Sequence, residues 1–402
     1  MPAPEQKKIR LAVDARFYGP LGKGLGRYTQ EIVDNIIKIS QADESRPFEF
    51  IIFLSPDNFD EFLSDDPLVK KIKLNFRWYS LAEQILFPWR LTKEKVDLIH
   101  FPHFNVPILT PKPFIVTIHD LILTKFPTRR ASTLSPLMYF LKNIAYRLVI
   151  LAAIKRARQI ITVSQFTKND IIDKFKVKAS KITVTYEGVA NLSHGHDSLF
   201  VAKMADQEVL AKYNISRQFL LYVGNAYPHK NLESLIRVFM ELRKDKPDLR
   251  LVLVGKDDYF YRRIKEYASS HNLWQANNIN SPVIFPGYVP DRQLEIIYQR
   301  AAAYVFPSFY EGFGLPPLEA MAKGCPVLSS NQSSLPEVLG EAALYFNPYQ
   351  EEDFIAKAKI ILDNQGLRQS LIEKGYQQAK LYNWWECARE TLDVYKRSLK
   401  IH

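Results

Sequence analysis

The chain alternates two kinds of segment. Short, nearly uninterrupted apolar runs bounded by turn residues are followed by longer stretches in which apolar positions recur at helical spacing. Runs of the first kind suit strands buried on both faces and stretches of the second suit amphipathic helices, so the alternation predicts parallel strands joined by helices. In the first half the pattern predicts strands at Ile9–Val13, Glu49–Leu54, Leu98–Phe101, Phe114–Ile118 and Gln159–Val163, with helices at Gly26–Ile39 and Leu134–Arg158. The rhythm restarts with a strand at Phe219–Val223, a helix at Leu232–Leu242, a strand at Arg250–Val254 and a helix near Tyr261–Ser270. It continues through a strand at Val283–Phe285, a helix at Leu294–Arg300, and strands at Ala303–Phe306 and Val327–Ser329. Two such series in tandem predict an α/β protein of two doubly wound domains, joined between Val184 and Gln218, where "EGVANLSHGHDS" reads as a linker. A length of 402 residues fits two cores better than one. Ligands of such domains sit off the carboxyl ends of the strands, so the expected site is a cleft between the two.

Charge adds one asymmetry. The net charge of +11 lies in residues 112–181, which hold 14 Lys and Arg against three Asp and Glu, while the segments on either side balance. The excess includes Arg129, Arg130, Lys142, Arg147, Lys155, Arg156, Arg158 and the run Lys174, Lys176, Lys178, Lys181. Two readings stay open: a surface for an anionic membrane or anionic substrate, and a solvated face that serves solubility. A nucleic-acid partner is disfavoured, because helix-turn-helix spacing, a zinc knuckle and an RNP-type aromatic motif are all missing. The polar start, Met1–Arg10, is unlike a secretory signal, and Lys142 and Arg147 interrupt the longest apolar region, Leu134–Ile154. Cys325 and Cys387 are isolated, which suits neither a disulfide framework nor a zinc site and points to a reducing compartment. The expectation is a cytoplasmic protein, soluble or peripheral at the inner face of the cytoplasmic membrane.

The stretch "SFYEGFGLPPLEAMAKGCPV", Ser308–Val327, concentrates the chemistry. It follows a strand, so "SFYEGFG" is a loop at a carboxyl end. Pro316 and Pro317 suit a helix start and Gly324 a helix end, which predicts a short helix at Leu318–Lys323 with Glu319 in its first turn. Gly312 and Gly314 let the backbone approach a ligand, and the helix N-terminus favours an anion. Glu311 and Glu319, eight positions apart, can reach opposite ends of one ligand whose phosphates lie between, the layout of a nucleotide sugar. On spacing alone, a dipole-complementing Glu319 and a surface Glu311 account for the same residues.

The wider context resembles a known family. "EGFGLPPLEAMAKGCPVLSS" is similar to the E-x7-E signature of retaining family 4 glycosyltransferases. The likeness continues in order through "GKGLGRYTQEI", "DLIHFPHFNVP", "VTIHDLI", "ITVSQFTKNDI", "LYVGNAYPHKNLESLI", "LVLVG", "IFPGYVPDRQLEIIYQRA" and "SSLPEVLGEAALYFNP". The resemblance implies the GT-B fold: a Rossmann-like acceptor-side domain at 1–190, a donor domain at 191–383, and terminal helix 384–402 crossing back to the first domain. It implies transfer of a hexose from a nucleoside-diphosphate sugar to a hydroxyl of a glycan or lipid-linked acceptor, with retention and without a metal. The style of "HFPHFNVP" and "VTIHDLI" looks most like bacterial mannosyltransferases of surface polysaccharide assembly, which favours GDP-mannose over a UDP-hexose.

Residue by residue, the resemblance places Glu319 on ribose, Glu311 on the sugar hydroxyls, and Lys230 with the backbone of Gly312, Phe313, Gly314 and Leu315 on diphosphate and sugar. Gly287, Tyr288 and Val289 match the segment lining the nucleobase. His119 matches a histidine that contacts the donor sugar, with Asp120 beside it as an orienting or acceptor-side carboxylate. Gly24 and Leu25 match a loop at the diphosphate, with Lys23 where the family often has glycine. Asn225 stands where many members have an arginine, so one diphosphate donor is missing or comes from elsewhere, with His229 and Arg16 as candidates. Ser334 and Glu337 read as a capping box, Asp257 and Asp258 as a strand-to-helix turn, and His100 and His103 as acceptor-pocket or core residues. Two other classes stay in view: a non-catalytic sugar-nucleotide or glycan binding protein, and a nicotinamide oxidoreductase. The second lacks a strict G-x-G-x-x-G followed by a ribose-binding acid.

Overall fold

The computed structural model describes residues 8–111, 113–126, 135–189, 199–215 and 218–401. The chain divides into two compact units, one running to Gly188 and resuming at Asn383, the other spanning Val189–Tyr382. Most of the expected linker, residues 190–198, and with it the expected boundary at 190/191, lies outside the described residues, as do Arg129 and Arg130.

In chain order the first unit contains β1 (Ile9–Asp14), α1 (Lys23–Ala42), β2 (Phe48–Leu54), β3 (Val69–Lys73), α2 (Leu81–Lys93), β4 (Leu98–Phe101) and β5 (Phe114–Ile118). It continues with α3 (Ile122–Lys125), α4 (Pro136–Arg156), β6 (Gln159–Thr162), α5 (Gln165–Phe175) and β7 (Ile182–Val184). The second unit contains α6 (Leu199–Lys212), β8 (Phe219–Val223), α7 (Leu232–Asp245), β9 (Arg250–Val254), α8 (Tyr259–Ser270), β10 (Val283–Gly287) and α9 (Asp291–Arg300). It closes with β11 (Ala303–Phe306), α10 (Leu315–Ala322), β12 (Val327–Ser330), α11 (Leu335–Leu339), β13 (Ala343–Phe346), α12 (Glu351–Asp363) and α13 (Gln365–Lys380). The last helix, α14 (Trp384–Leu399), belongs to the first unit.

Both sheets are parallel throughout. The first has the order β3-β2-β1-β4-β5-β6-β7, the second β10-β9-β8-β11-β12-β13. Each is the doubly wound pattern, with a reversal of strand order between β1 and β4 and between β8 and β11, where such sheets bind ligands. The apolar runs became strands because helices cover both faces: Ala12, Ile51, Phe53, Ile99, Phe101, Val116 and Ile160 share one core with Phe87 of α2 and Ile154 of α4.

Three strands escaped the sequence pattern, two of them for visible reasons. In β3, "VKKIK", only Ile72 is buried, and its lysines blunt an exposed sheet edge. Strand β7 has only three residues, whereas β13, with four, is no shorter than β4, which the pattern did show.

Helix α14 packs along α1 and is tied to the sheet by a buried polar chain. Tyr28 of α1 lies 3.2 Å from the Thr117 hydroxyl of β5, Thr117 Oγ1 lies 2.8 Å from His100 Nε2 of β4, and His100 Nδ1 lies 2.6 Å from the Tyr395 hydroxyl of α14. Burial and the nearby His119 push His100 down to about 3, so its ring is neutral and belongs to this core network.

Candidate active site

Two loops of the second unit meet at the reversal of its sheet. Strands β8 and β11 are neighbours, with Leu220 opposite Ala303 and Leu221 opposite Tyr304. After β8 the chain turns through Asn225 and Tyr227 into one 3-10 turn, Pro228–Lys230. Asn231 then takes a left-handed conformation, φ 61°, and its side-chain amide donates to Pro307 O at 3.2 Å in the loop after β11. Phe309 N of that loop donates to His229 O at 2.8 Å. These bonds hold the loops side by side, and they bring Lys230 Nζ to 2.6 Å from Glu311 Oε1, each side chain about 10% exposed.

The Glu311 loop is fixed from a third side. Glu311 N donates to Ser333 Oγ at 2.9 Å, and Ser334 Oγ donates to Glu311 O at 3.1 Å and Phe313 O at 3.0 Å. The expected Ser334 cap is therefore not made: the hydroxyl makes no cap bond to α11, because the backbone of the Glu311 loop takes it. Gly314 closes the loop at φ 98°, and a Cβ there would sit 2.6 Å from a Leu335 methyl. Helix α10 starts at Leu315, three residues earlier than the proline pattern suggested, because Gly314 serves as its N-cap. Glu319 consequently lies beyond the first turn, half-buried like Leu315 and Pro316, while Pro317 and Leu318 between them are buried.

The remaining sequence candidates of this unit fall around the same strand ends. Gly287 ends β10 at φ 77° with open space where a Cβ would stand, Tyr288 is exposed and Val289 buried. Asn225 Oδ1 accepts from Tyr227 N at 3.3 Å, and Tyr222 donates to the Asn225 carbonyl at 2.6 Å. One candidate substitute for the missing arginine, His229, brings no cation to these loops. Burial, then the charge of Lys230, pushes His229 down to about 4, which leaves a neutral ring. Arg16 sits in the first unit with its guanidinium donating to Asp14 at 2.7 Å and Glu83 at 2.6 Å, both buried. Lys230 is the cation that these loops bring. Asp258 caps α8 and Asp257 pairs with Lys265, in keeping with a strand-to-helix turn.

In the first unit, Gly24 and Leu25 lie in the first turn of α1, and a Cβ on Gly24 would meet nothing within 4 Å. Gly26 is different: a Cβ there would come within 2.1 Å of Gly19 O. His119 follows β5 and has both ring nitrogens engaged, Nδ1 at 3.2 Å from Glu187 Oε1 and Nε2 at 2.9 Å from Pro102 O. Burial works to lower its pKa, but the Glu187 hydrogen bond and charge, the Pro102 carbonyl and Asp120 together raise it above the ordinary histidine range. Tyr28 packs edge-on to the ring at 4.5 Å. Asp120 accepts from Ile122 N at 2.9 Å and so shapes the turn into α3. Burial pushes His103 down to about 3, and its ring lies against Phe17 and Phe104. Glu187 and Ser333 were not legible in the sequence, Glu187 because "YEGVAN" reads as the start of a linker and Ser333 because it stands 22 residues from Glu311, whose backbone N–H it accepts.

The chain is similar to known proteins in sequence and in fold. The model "Glycosyltransferase Family 4" matches residues 36–190, and "Glycosyl transferases group 1" matches residues 206–378. The O-antigen chain mannosyltransferase B of Escherichia coli is 29% identical over 391 residues, 93% of this chain and 96% of that protein. The O-antigen chain mannosyltransferase RfbU of Salmonella typhimurium is 29% identical over 283 residues, 70% of this chain and 69% of that one. Among solved structures, the sucrose-phosphate synthase of Thermosynechococcus elongatus superposes with a TM-score of 0.75 at 19% identity, covering 98% of this chain and all of that one, a likeness of fold. With one family model on each half, full-length relatives and two Rossmann-like units, the chain belongs to the family 4 glycosyltransferases of the GT-B fold.

Proposed function

We propose that this glycosyltransferase moves mannose from GDP-mannose to a hydroxyl of a glycan or lipid-linked acceptor, with retention at the anomeric carbon. The observation that carries the reading is the buried Lys230–Glu311 pair at the carboxyl ends of β8 and β11. The mannosyltransferase relatives, aligned over most of their length, support the sugar.

The donor is assigned to the second unit. An ammonium carries three donors and the bond to Glu311 uses one, so Lys230 has capacity for diphosphate oxygens while Glu311 accepts from sugar hydroxyls. A fixed cation beside the leaving phosphate stabilises the charge that grows there as the sugar departs, without reorganisation at the moment of reaction. The N-terminus of α10 adds its dipole to the same phosphates. Glu319 is assigned to the ribose hydroxyls, and Gly287, Tyr288 and Val289 to the base. With Asn225 in place of an arginine, the diphosphate depends more heavily on Lys230. In the first unit Glu187 and the Pro102 carbonyl fix the orientation of the His119 ring. In the transfer, the bond from anomeric carbon to phosphate oxygen breaks and the bond to the acceptor oxygen forms on the same face. The acceptor's proton passes to the departing phosphate.

The test is a transfer assay with GDP-mannose, UDP-glucose and UDP-galactose against lipid-linked and oligosaccharide acceptors, with the anomeric configuration of the product read by proton NMR. The reading requires consumption of GDP-mannose and an α-linked product. Turnover of a UDP-hexose alone, or a β-linked mannoside, contradicts it.

A further inference from the structure

Helix α4 is apolar on two opposite faces. One, with Ile150, Ala153 and Ile154, lies in the core of the first unit. The other presents Leu137, Leu141, Ile144, Leu148 and Leu151 to solvent, a stripe at three- and four-residue spacing, with Leu137 67% and Leu148 56% exposed. Helix α2 carries a second stripe, Leu81, Ile85 and Trp89, with Leu81 84% and Trp89 59% exposed.

The two stripes belong to one neighbourhood, tied by the loop after β4. Arg156 of α4 donates to Thr110 O at 2.7 Å, and Ile108 N donates to Gln84 Oε1 of α2 at 2.8 Å. The Phe104 ring packs on Tyr146 of α4 at 5.0 Å and on Tyr79, just before α2, at 6.4 Å. The loop adds Leu109, itself 71% exposed. Scattered single apolar residues on a surface need no explanation, but a run of them across two helices and a loop marks an interaction face.

Charge decides what covers it. Helix α4 carries Lys142, Arg147, Lys155 and Arg156 and no acid. The acids of α2 and its C-cap are turned inward, Glu83 onto Arg16 and Glu94 onto Lys70 and Arg90. The charges that α2 and α4 leave on the surface are thus cationic. A second copy of the chain would set these cations against their own kind, whereas an anionic lipid surface offers an apolar layer for the aliphatic side chains and negative headgroups for the lysines and arginines. Among the described residues α4 is the one helix long and apolar enough, by length and composition, to cross a membrane. Its place in the crossover from β5 to β6, with one face in the core, requires instead that it meet a bilayer side-on.

We propose that the face formed by α2, the 107–110 loop and α4 inserts side-on into the interface of an anionic bilayer, the apolar stripes reaching the acyl boundary and the basic residues contacting headgroups. This goes beyond the transfer reading and stands independently of it.

The test uses the full chain with an environment-sensitive dye on a Leu148→Cys variant, both native cysteines being buried. With vesicles of phosphatidylglycerol and phosphatidylcholine the dye emission shifts to the blue and the protein pellets, at least about tenfold more tightly than with phosphatidylcholine alone. Ile144→Asp with Leu148→Asp abolishes pelleting and leaves the thermal shift caused by GDP unchanged, which separates this proposal from the donor reading. Lys142→Glu with Arg147→Glu weakens pelleting at low salt. The proposal is overturned if no vesicle binds the protein, if binding ignores the aspartate substitutions, or if sedimentation velocity shows a dimer that those substitutions dissolve.

Discussion

Lys230 Nζ and Glu311 Oε1 stand 2.6 Å apart although 81 residues separate them in sequence. The adjacency of β8 and β11 makes the meeting possible, and the loop-to-loop bonds from Asn231 and Phe309 fix it. Both charges are nearly buried, so each depends on the other in the free protein. Lys230→Ala leaves the Glu311 carboxylate unpaired and costs about 3–5 kcal/mol of stability of the second unit. Lys230→Met combined with Glu311→Leu restores most of that loss and remains inactive. Urea denaturation of the single and double variants measures both effects, and equal destabilisation of single and double would contradict the pairing.

Ser334 holds the Glu311 loop rather than capping α11. Ser334→Ala removes the hydroxyl that bonds the carbonyls of Glu311 and Phe313, at a cost of about 1–3 kcal/mol, and lowers kcat more than a surface substitution does. Ser334→Asp, which preserves a cap, fails to rescue activity, because a carboxylate cannot donate to Glu311 O and Phe313 O. Rescue by aspartate would return Ser334 to the capping role.

How far the sequence carries can be seen from these same residues. The strands were legible because helices cover both faces of each sheet, which makes the central strands continuous apolar runs. The edge strand β3 was hidden by its lysines. Glu311, Lys230 and His119 all follow strands, but Lys230 and His119 stand out only through the family resemblance, and nothing in the sequence says that Lys230 and Glu311 touch. The S-x-x-E spacing at Ser334 pointed to a local cap, while tertiary packing gave the hydroxyl to a loop more than 20 residues away. Likewise the segment at Leu134–Arg158 read as an apolar helix, and only the sheet around it shows which of its apolar side chains remain uncovered.

Gly24 and Gly26, two residues apart, have opposite needs. Gly26→Ala drives a Cβ into the Gly19 carbonyl and destabilises the first unit. Gly24→Ala meets no atom, and in a helix it gains stability of roughly 0.5–1 kcal/mol. If this turn approaches the diphosphate, Gly24→Ala raises KM for the donor while Tm stays level or rises. Unchanged kinetics in Gly24→Ala would remove the loop from the donor site.

The His119–Glu187 contact gives stability a pH dependence of known sign. The folded pKa of His119 is raised, so the contact contributes fully below the unfolded value of roughly 6.5 and is lost as pH rises through the folded value. Glu187→Gln removes the carboxylate, and the difference in unfolding free energy between wild type and variant should be largest in mildly acidic buffer and shrink toward alkaline pH. A difference that grows with pH would contradict the assignment. NMR titration of the His119 ring gives the same information directly, with a lower pKa expected in the variant.

The central claim is that a nucleoside-diphosphate sugar binds where Lys230 and Glu311 meet. The most direct measurement is calorimetric titration of GDP, UDP and ADP into wild type and into Lys230→Met with Glu311→Leu, whose fold is checked by circular dichroism. The account predicts selective binding of GDP to wild type and its loss in the folded double variant. Binding of GDP with unchanged affinity to that variant would place the donor site elsewhere in the molecule.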